Sequence, residues 1–144
     1  LHDDLATLLD GEGYIRFEPR GQYIGTEPYN KWTKPSCVLI GEDNYSDACG
    51  FPYVYKTLGI GKLIGAPVPG TMTAVWWENQ IDPSIVFGIP QVGALGVKEG
   101  RYLENMQIEP DILVYNDPAS VLRGEDRQLE AAVKEMLKTI DSNK

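Results

Sequence analysis

The sequence predicts an α/β fold, because strand and helix patterns alternate along its 144 residues. The apolar run from Cys37 to Ile40, ended by Gly41, is typical of a strand that is buried on both faces of a parallel sheet. A helical pattern follows this run and extends to Leu58. Residues 125–140 form the clearest amphipathic helix. Its apolar face consists of Leu129, Ala132, Val133, Met136, Leu137 and Ile140.

The N-terminal third is predicted to contain a helix, a short strand and a long loop. Residues 1–9 have apolar side chains at helical spacing, and Gly11 follows as a stop signal. Residues 14–17 alternate as a strand. Residues 18–35 contain three prolines and two glycines, which favours a surface loop. Loops of this length without secondary structure of their own are usually functional or cover a ligand.

Pro52 interrupts the predicted helix after the first buried strand. Either the helix becomes regular only near Gly50, or it kinks at the proline. Gly59 and Gly61 end this helix in the prediction. Further strands are expected at residues 62–64, 73–77, 85–87 and 112–115, with a weaker strand at 91–97 and a turn at 79–83.

The composition favours one globular domain over residues 1–144, with 42% hydrophobic and 24% charged residues. The net charge of −8 argues against a nucleic-acid partner, which needs a clustered positive surface. No apolar run approaches the roughly 20 residues of a membrane-spanning helix. Because the chain begins at Leu1 without a signal sequence, we expect a processed piece. Its targeting region would lie upstream, which leaves the compartment open between cytoplasm and cell envelope.

Cys37 and Cys49 are too few for a disulfide framework or a zinc site. We predict two buried free thiols, with a redox pair as the alternative. No metal and no cofactor is predicted.

The bend between the first buried strand and the following helix contains a candidate nucleophile. Ser46 would be lifted clear of the sheet at a helix N-terminus, where the N–H groups are unpaired and the partial charge is positive. These conditions stabilise a developing oxyanion. From the local pattern alone, the alternative is an ordinary helix N-cap, a position that serine favours.

Four motifs, in the same order, resemble the C-terminal processing and tricorn serine peptidases. They are residues 44–48 around the Ser46–Asp47 pair, the Gly-Ile-Gly-Lys-Leu-Ile-Gly stretch at 59–65, the Ile-Glu-Pro-Asp-Ile stretch at 108–112, and the Asn-Asp-Pro stretch at 116–118. The resemblance covers residues 36–137. It implies the C-terminal part of a tricorn-like or tail-specific peptidase catalytic domain, with a ClpP/crotonase-like layered fold.

The resemblance also implies roles for individual residues. Ser46 would be the nucleophile, the Asp47 N–H would be an oxyanion-hole donor, and Glu104 would orient a Ser–His relay. The alternative for Glu104 is a solvated loop carboxylate. The lysine base of the processing-peptidase type would fall at about residues 70–71, where this chain has no lysine. The tricorn type uses a histidine far upstream, so we expect His2 to be a surface or helix-terminal residue and not the base.

Substrate binding is expected at Gly70, Thr71, Met72 and Thr73, because the family adds the substrate backbone as a strand beside this segment. The alternative is a Pro/Gly loop that only leads into the next strand.

The predicted parent protein is a serine endopeptidase that hydrolyses peptides or unfolded protein tails by acyl transfer. We expect the isolated chain to be inactive, since serine without a base is a poor nucleophile. Two alternatives remain: a non-catalytic binding or assembly domain of the same fold, and a crotonase-type acyl-CoA enzyme. An exposed sheet edge would also favour self-association into a homo-oligomer.

Overall fold

The computed structural model describes residues 1–142, which form a mixed α/β fold, as predicted. The helices are α1 (His2–Leu9), α2 (Asp47–Leu58), α3 (Pro118–Leu122) and α4 (Arg127–Ser142). The strands are β1 (Ile15–Phe17), β2 (Gly25–Glu27), β3 (Cys37–Ile40), β4 (Lys62–Gly65), β5 (Ala74–Asn79), β6 (Val86–Val92), β7 (Leu95–Gly96), β8 (Arg101–Tyr102) and β9 (Ile112–Leu113).

A three-stranded parallel sheet in the order β3–β4–β9 forms the centre of the fold. Val38 lies opposite Leu63, and Ile64 lies opposite Ile112. Helix α2 is the crossover between β3 and β4 that a parallel pair requires. The core lies between this helix and the sheet. It consists of Ile40, Cys49, Tyr55, Leu63, Val68 and Ile108.

The prediction that the strand at residues 37–40 is buried on both faces is wrong for this chain. β3 is an edge strand with β4 as its neighbour, and Leu39 remains 41% exposed. The predicted apolar face of α4 is similarly open, since only Ala132 is buried among its apolar residues and Val133 is 51% exposed. The described residues therefore leave this side of the sheet partly uncovered.

The predicted loop at residues 18–35 is also wrong in part, because it contains β2, which pairs antiparallel with β1. The hydroxyl of Thr26 donates to the carbonyl of Ile15 and reinforces this pair. The weak strand expected at 91–97 is divided between β6 and β7. The division falls at Gly93, where a Cβ atom would lie only 2.9 Å from the Tyr102 ring.

The other predicted elements are confirmed to within a few residues, and some elements, among them α3 and β8, are additional. β5 and β6 form the expected antiparallel hairpin, with Trp77 opposite Gly88. Helix α3 has no counterpart in the prediction. It is capped by Asp117, whose Oδ1 accepts the Ser120 N–H at 3.0 Å, and begins with Pro118, a favoured first residue.

Pro52 lies inside α2, which begins at Asp47, so the expectation that the helix becomes regular only near Gly50 is wrong. A proline has no N–H to donate to the carbonyl four residues earlier, here that of Ala48. The side chain of Asn44 supplies the missing donor, with Nδ2 at 2.7 Å from the Ala48 oxygen. Its Oδ1 accepts the Gly41 N–H at 3.0 Å, so Asn44 joins β3 to α2.

Both cysteines are free thiols; Cys49 is fully buried, as predicted, whereas Cys37 is only half-buried. Among residues 1–142, no helix is long and apolar enough to cross a membrane.

Candidate active site

Ser46 occupies the bend between β3 and α2 in a conformation that L-residues rarely adopt. Its φ is 53° and its ψ is −117°, and the residue is exposed. The side chain makes no capping hydrogen bond, whereas an ordinary serine N-cap has extended dihedrals and accepts an N–H of the first turn. Ser46 is thus not an ordinary N-cap. Such a backbone is strained by about 1 to 3 kcal/mol and is found mainly at functional sites.

The first turn of α2 leaves one N–H group open beside this hydroxyl. The N–H groups of Cys49 and Gly50 donate to the Ser46 carbonyl at 2.8 and 3.1 Å. The N–H of Ala48 donates to the Tyr45 carbonyl at 3.0 Å. The N–H of Asp47 has no acceptor within residues 1–142. It is therefore available to an anion at the positive end of the helix.

Thr71 connects the Ser46 bend to the predicted substrate segment, Gly70 to Thr73. Its Oγ1 accepts the Ser46 N–H at 3.2 Å and lies 3.1 Å from the Cys49 sulfur. Cys49 Sγ also lies 2.9 Å from the Pro69 carbonyl oxygen, so the buried thiol contacts the chain just before the segment. The sequence reasoning did not anticipate this link, because it joins residues 25 positions apart.

Glu104 binds the predicted substrate segment directly. Its Oε2 accepts the N–H groups of Met72 and Thr73 at 2.8 and 2.7 Å. Next to it, the Asn105 N–H donates to the Gly70 carbonyl at 2.6 Å. The Thr73 side chain and then these N–H groups hold the pKa of Glu104 below its ordinary value, by hydrogen bonding to the charged form. Glu104 is thus half-buried and hydrogen-bonded, not the solvated loop carboxylate of the alternative.

His2 lies beside the same bend, which the sequence reasoning missed. It is the first residue of α1, as expected for a helix-terminal residue. Its Nδ1 is hydrogen-bonded to Oδ1 of Asp47, and its ring lies over Gly50, where a Cβ atom would be 3.6 Å from the imidazole. No hydrogen bond joins His2 to the Ser46 hydroxyl within the described residues. A contact across 45 positions has no local sequence signal.

A cavity of about 240 Å³ opens at this bend. Ser46, His2, Asp47 and Met72 line it, together with the small residues Gly50, Ala74 and Ala94. Of the predicted substrate segment, only Met72 reaches the cavity wall. Glu104 does not line the cavity and is connected to it through Met72 and Thr73. The cavity is thus lined by the exposed Ser46 and by Asp47, and the carboxylate of Glu104 lies behind its wall.

Comparison with known proteins finds peptidases among the proteins that are similar to this chain. The model of peptidase family S41 matches residues 7–114. A protein of Chlamydia pneumoniae is 34% identical over 90 residues, which cover 62% of this chain and 14% of that protein. The tricorn protease of Thermoplasma acidophilum is 25% identical over 122 residues, which cover 85% of this chain and 11% of the relative. The chain thus spans only a small part of the length of these relatives.

Two solved structures resemble the fold. The crystal structure of the tricorn protease matches with a TM-score of 0.81 and 22% identity, covering 97% of this chain and 14% of that one. The structure of mature CPAF matches with a TM-score of 0.52 and 26% identity, covering 64% of this chain and 18% of that one.

Proposed function

The chain belongs to peptidase family S41, and on that premise we propose that it contributes the nucleophile to the catalytic domain of a tricorn-like or tail-specific serine endopeptidase. In this proposal residues 1–144 are the C-terminal part of a ClpP/crotonase-like layered domain. The substrates are peptides or unfolded protein tails.

The observation that carries the proposal is the exposed Ser46 in a strained backbone, followed by Asp47, whose N–H has no acceptor within residues 1–142. Ser46 Oγ attacks the scissile carbonyl carbon and loses its proton to a base. The carbonyl oxygen becomes an oxyanion that the Asp47 N–H stabilises. Collapse of this intermediate expels the amine and leaves an acyl-enzyme, which water then hydrolyses.

Glu104 is proposed to orient a Ser–His relay supplied from outside this chain. A carboxylate that positions the base must be ionised at neutral pH and fixed in place. The lowered pKa of Glu104 and its two backbone donors support both conditions. No hydrogen bond joins a histidine to the Ser46 hydroxyl within residues 1–142. We therefore propose that the isolated chain does not turn over substrate.

The segment Gly70 to Thr73 is proposed to contact the substrate. The backbone groups of the segment that are already hydrogen-bonded determine which others can bind the substrate backbone. The N–H of Thr71 donates to the Pro69 carbonyl at 3.1 Å, and those of Met72 and Thr73 donate to Glu104. Because the Gly70 carbonyl already accepts the Asn105 N–H, a substrate strand would use the carbonyl oxygens of residues 71–73 and the side chain of Met72 in the cavity wall.

Labelling with a fluorophosphonate tests the proposal on the full-length parent protein. The probe phosphonylates an activated serine and leaves an unactivated one unmodified. We expect labelling of the wild type, loss of labelling in Ser46→Ala, and unchanged labelling in Ser84→Ala, which alters an exposed serine of the β5–β6 turn. An unlabelled wild type would favour the non-catalytic binding domain instead. Acyl-CoA turnover that persists in Ser46→Ala would favour the crotonase-type enzyme.

A further inference from the structure

We infer that Thr71 is a positioning residue, which holds the Ser46 bend in its reactive conformation and couples that bend to the substrate segment. The inference rests on the proposed role of Ser46 as nucleophile. Thr71 acts through the backbone of Ser46 and touches no reacting atom.

The strained conformation of Ser46 needs a fixed partner for its backbone. The hydroxyl of Thr71 supplies it by accepting the Ser46 N–H at 3.2 Å. Within residues 1–142 this is the only acceptor for that N–H group. Without it, a donor at the edge of the cavity would be unpaired, and the bend could relax toward ordinary dihedrals. Relaxation would change the direction of the Ser46 side chain, which lines the cavity in the present conformation.

The orientation of the Thr71 hydroxyl is set by its second neighbour, Cys49. The Cys49 sulfur is fully buried and lies 2.9 and 3.1 Å from the carbonyl oxygens of Pro69 and Asn44. Because two carbonyls are available to it, the thiol donates its proton to one of them. The Thr71 hydroxyl then donates to the sulfur at 3.1 Å, which leaves an oxygen lone pair for the Ser46 N–H.

Thr71 is unsuited to the role of base, although the lysine of the processing-peptidase type would fall at about this position. Its oxygen contacts the Ser46 nitrogen, and no hydrogen bond joins it to the Ser46 hydroxyl within the described residues. A neutral threonine hydroxyl is also a very weak proton acceptor. The geometry therefore assigns Thr71 to the backbone of the nucleophile.

The same hydroxyl connects Ser46 to the substrate segment. Thr71 is followed by Met72, which lines the cavity and whose N–H is held by Glu104. A substrate that contacts Met72 and the neighbouring carbonyls would hold the backbone of residue 71, and with it the acceptor of the Ser46 N–H. Loss of the hydroxyl should thus affect the chemical step more than substrate binding. A displacement of a reacting group by about 1 Å can lower the rate by about 100-fold.

Kinetics and labelling of the full-length parent test this inference with three substitutions at one position. Thr71→Val keeps the shape and removes the hydroxyl, whereas Thr71→Ser and Thr71→Ala lose the same methyl group and differ in the hydroxyl alone. We expect kcat and the fluorophosphonate labelling rate to fall about 10- to 100-fold in the valine and alanine variants, with KM changed less than about threefold. The serine variant should stay within about threefold of the wild type.

Thr139→Val is the matched control, because it removes a hydroxyl that donates at 2.9 Å to the Glu135 carbonyl in α4, away from the bend. The Thr139→Val protein should be labelled by the fluorophosphonate at the wild-type rate. The inference is overturned if the Thr71→Ser and Thr71→Ala proteins are labelled equally slowly. It is also overturned if the Thr71→Val protein is labelled as fast as the wild type.

Amide hydrogen exchange separates failure of this inference from failure of the proposed function. In the Thr71→Val and Thr71→Ala proteins the Ser46 N–H should exchange at least about tenfold faster than in the wild type, while Thr71→Ser keeps its protection. This result does not require the serine to be reactive. An unlabelled wild type would refute the peptidase proposal alone, whereas unchanged Ser46 exchange in all variants would refute the role of Thr71.

Discussion

The imidazole Nδ1 of His2 is hydrogen-bonded to Oδ1 of Asp47, and this bond joins the first residue of α1 to the first residue of α2. It occupies the side chain of Asp47, whereas the backbone N–H of the same residue has no acceptor within residues 1–142. The hydrogen bond from His2 is the largest cause of the lowered pKa of Asp47. The oxyanion donor proposed above thus belongs to a residue whose side chain is already fixed.

Replacing His2 by glutamine should raise the pKa of Asp47 toward its ordinary value. Since the folded-state pKa is lowered, the stability that this group contributes is present above its unfolded pKa of about 3.9 and is lost as pH falls through the folded value. The stability of the wild type should therefore fall more steeply below about pH 4 than that of His2→Gln. NMR titration of the Asp47 carboxyl in the 144-residue chain measures the shift. Asp82, whose pKa is lowered by Ser84, serves as an internal control; an Asp47 pKa that is the same in both proteins would refute the prediction.

Substitutions of Glu104 should separate its structural role from its proposed catalytic role. Glu104→Ala leaves the N–H groups of Met72 and Thr73 without their acceptor, and should destabilise the fold by about 1 to 3 kcal/mol. Glu104→Gln keeps an oxygen that can accept both groups and should destabilise it less. Because the glutamine lacks the negative charge that orients a relay, both variants should be labelled slowly by the fluorophosphonate in the full-length protein.

Urea unfolding gives the stabilities, and Glu130→Gln, an exposed change on α4, is the control for both measurements. If the Glu104→Gln protein is labelled as fast as the wild type, the role of Glu104 is to hold the segment Gly70 to Thr73 and not to orient a relay. The lowered pKa also predicts that the stability contributed by Glu104 is present above about pH 4.3 and is lost as pH falls through its folded value.

Asn44 and Pro52 should behave as a coupled pair. Asn44→Ala removes the donor to the Ala48 carbonyl and the acceptor of the Gly41 N–H, and should destabilise the chain by about 1 to 3 kcal/mol. Pro52→Ala provides a backbone N–H that can donate to the same carbonyl. The double variant should therefore lose less stability than the sum of the losses in the two single variants. A double-mutant cycle by urea unfolding measures this coupling. Strictly additive effects would show that the side chain of Asn44 does not replace the missing helix bond.

The sequence predicted those parts of the fold that depend on neighbouring residues. β3, the Ser46 bend and the end of α2 follow from local patterns; Gly59, for example, ends the helix with a φ of 71° that few other residues tolerate. The strand β2 was missed because its pairing with β1 is set by partners eight to twelve positions away, in a segment rich in proline and glycine.

From the sequence and the family resemblance, Ser46, the Asp47 N–H and Glu104 could be named as candidate site groups, and their proposed roles stay predictions. What Glu104 binds could not be inferred, because the N–H groups that it accepts are about 30 positions away. The links from His2 to Asp47 and from Thr71 to Ser46 also span long distances in sequence. Such contacts depend on how the elements pack, and no local periodicity encodes them.

The open side of the central sheet leads to the last prediction, that the isolated chain self-associates. β3 is an edge strand, and Leu39 on it lies beside Leu129, Val133 and Leu137 of α4, which are at least half exposed. An edge strand presents unpaired N–H and C=O groups, and an adjoining apolar surface favours association with a second copy.

Leu39→Lys places a charge at the centre of this surface and should shift the chain toward the monomer. Ile81→Lys, in the fully exposed turn between β5 and β6, changes the net charge equally and should leave association unchanged. Sedimentation velocity over a range of concentrations measures the association of the wild type and of both variants. A wild type that stays monomeric would contradict pairing through this edge, and so would a Leu39→Lys protein that associates as strongly as the wild type.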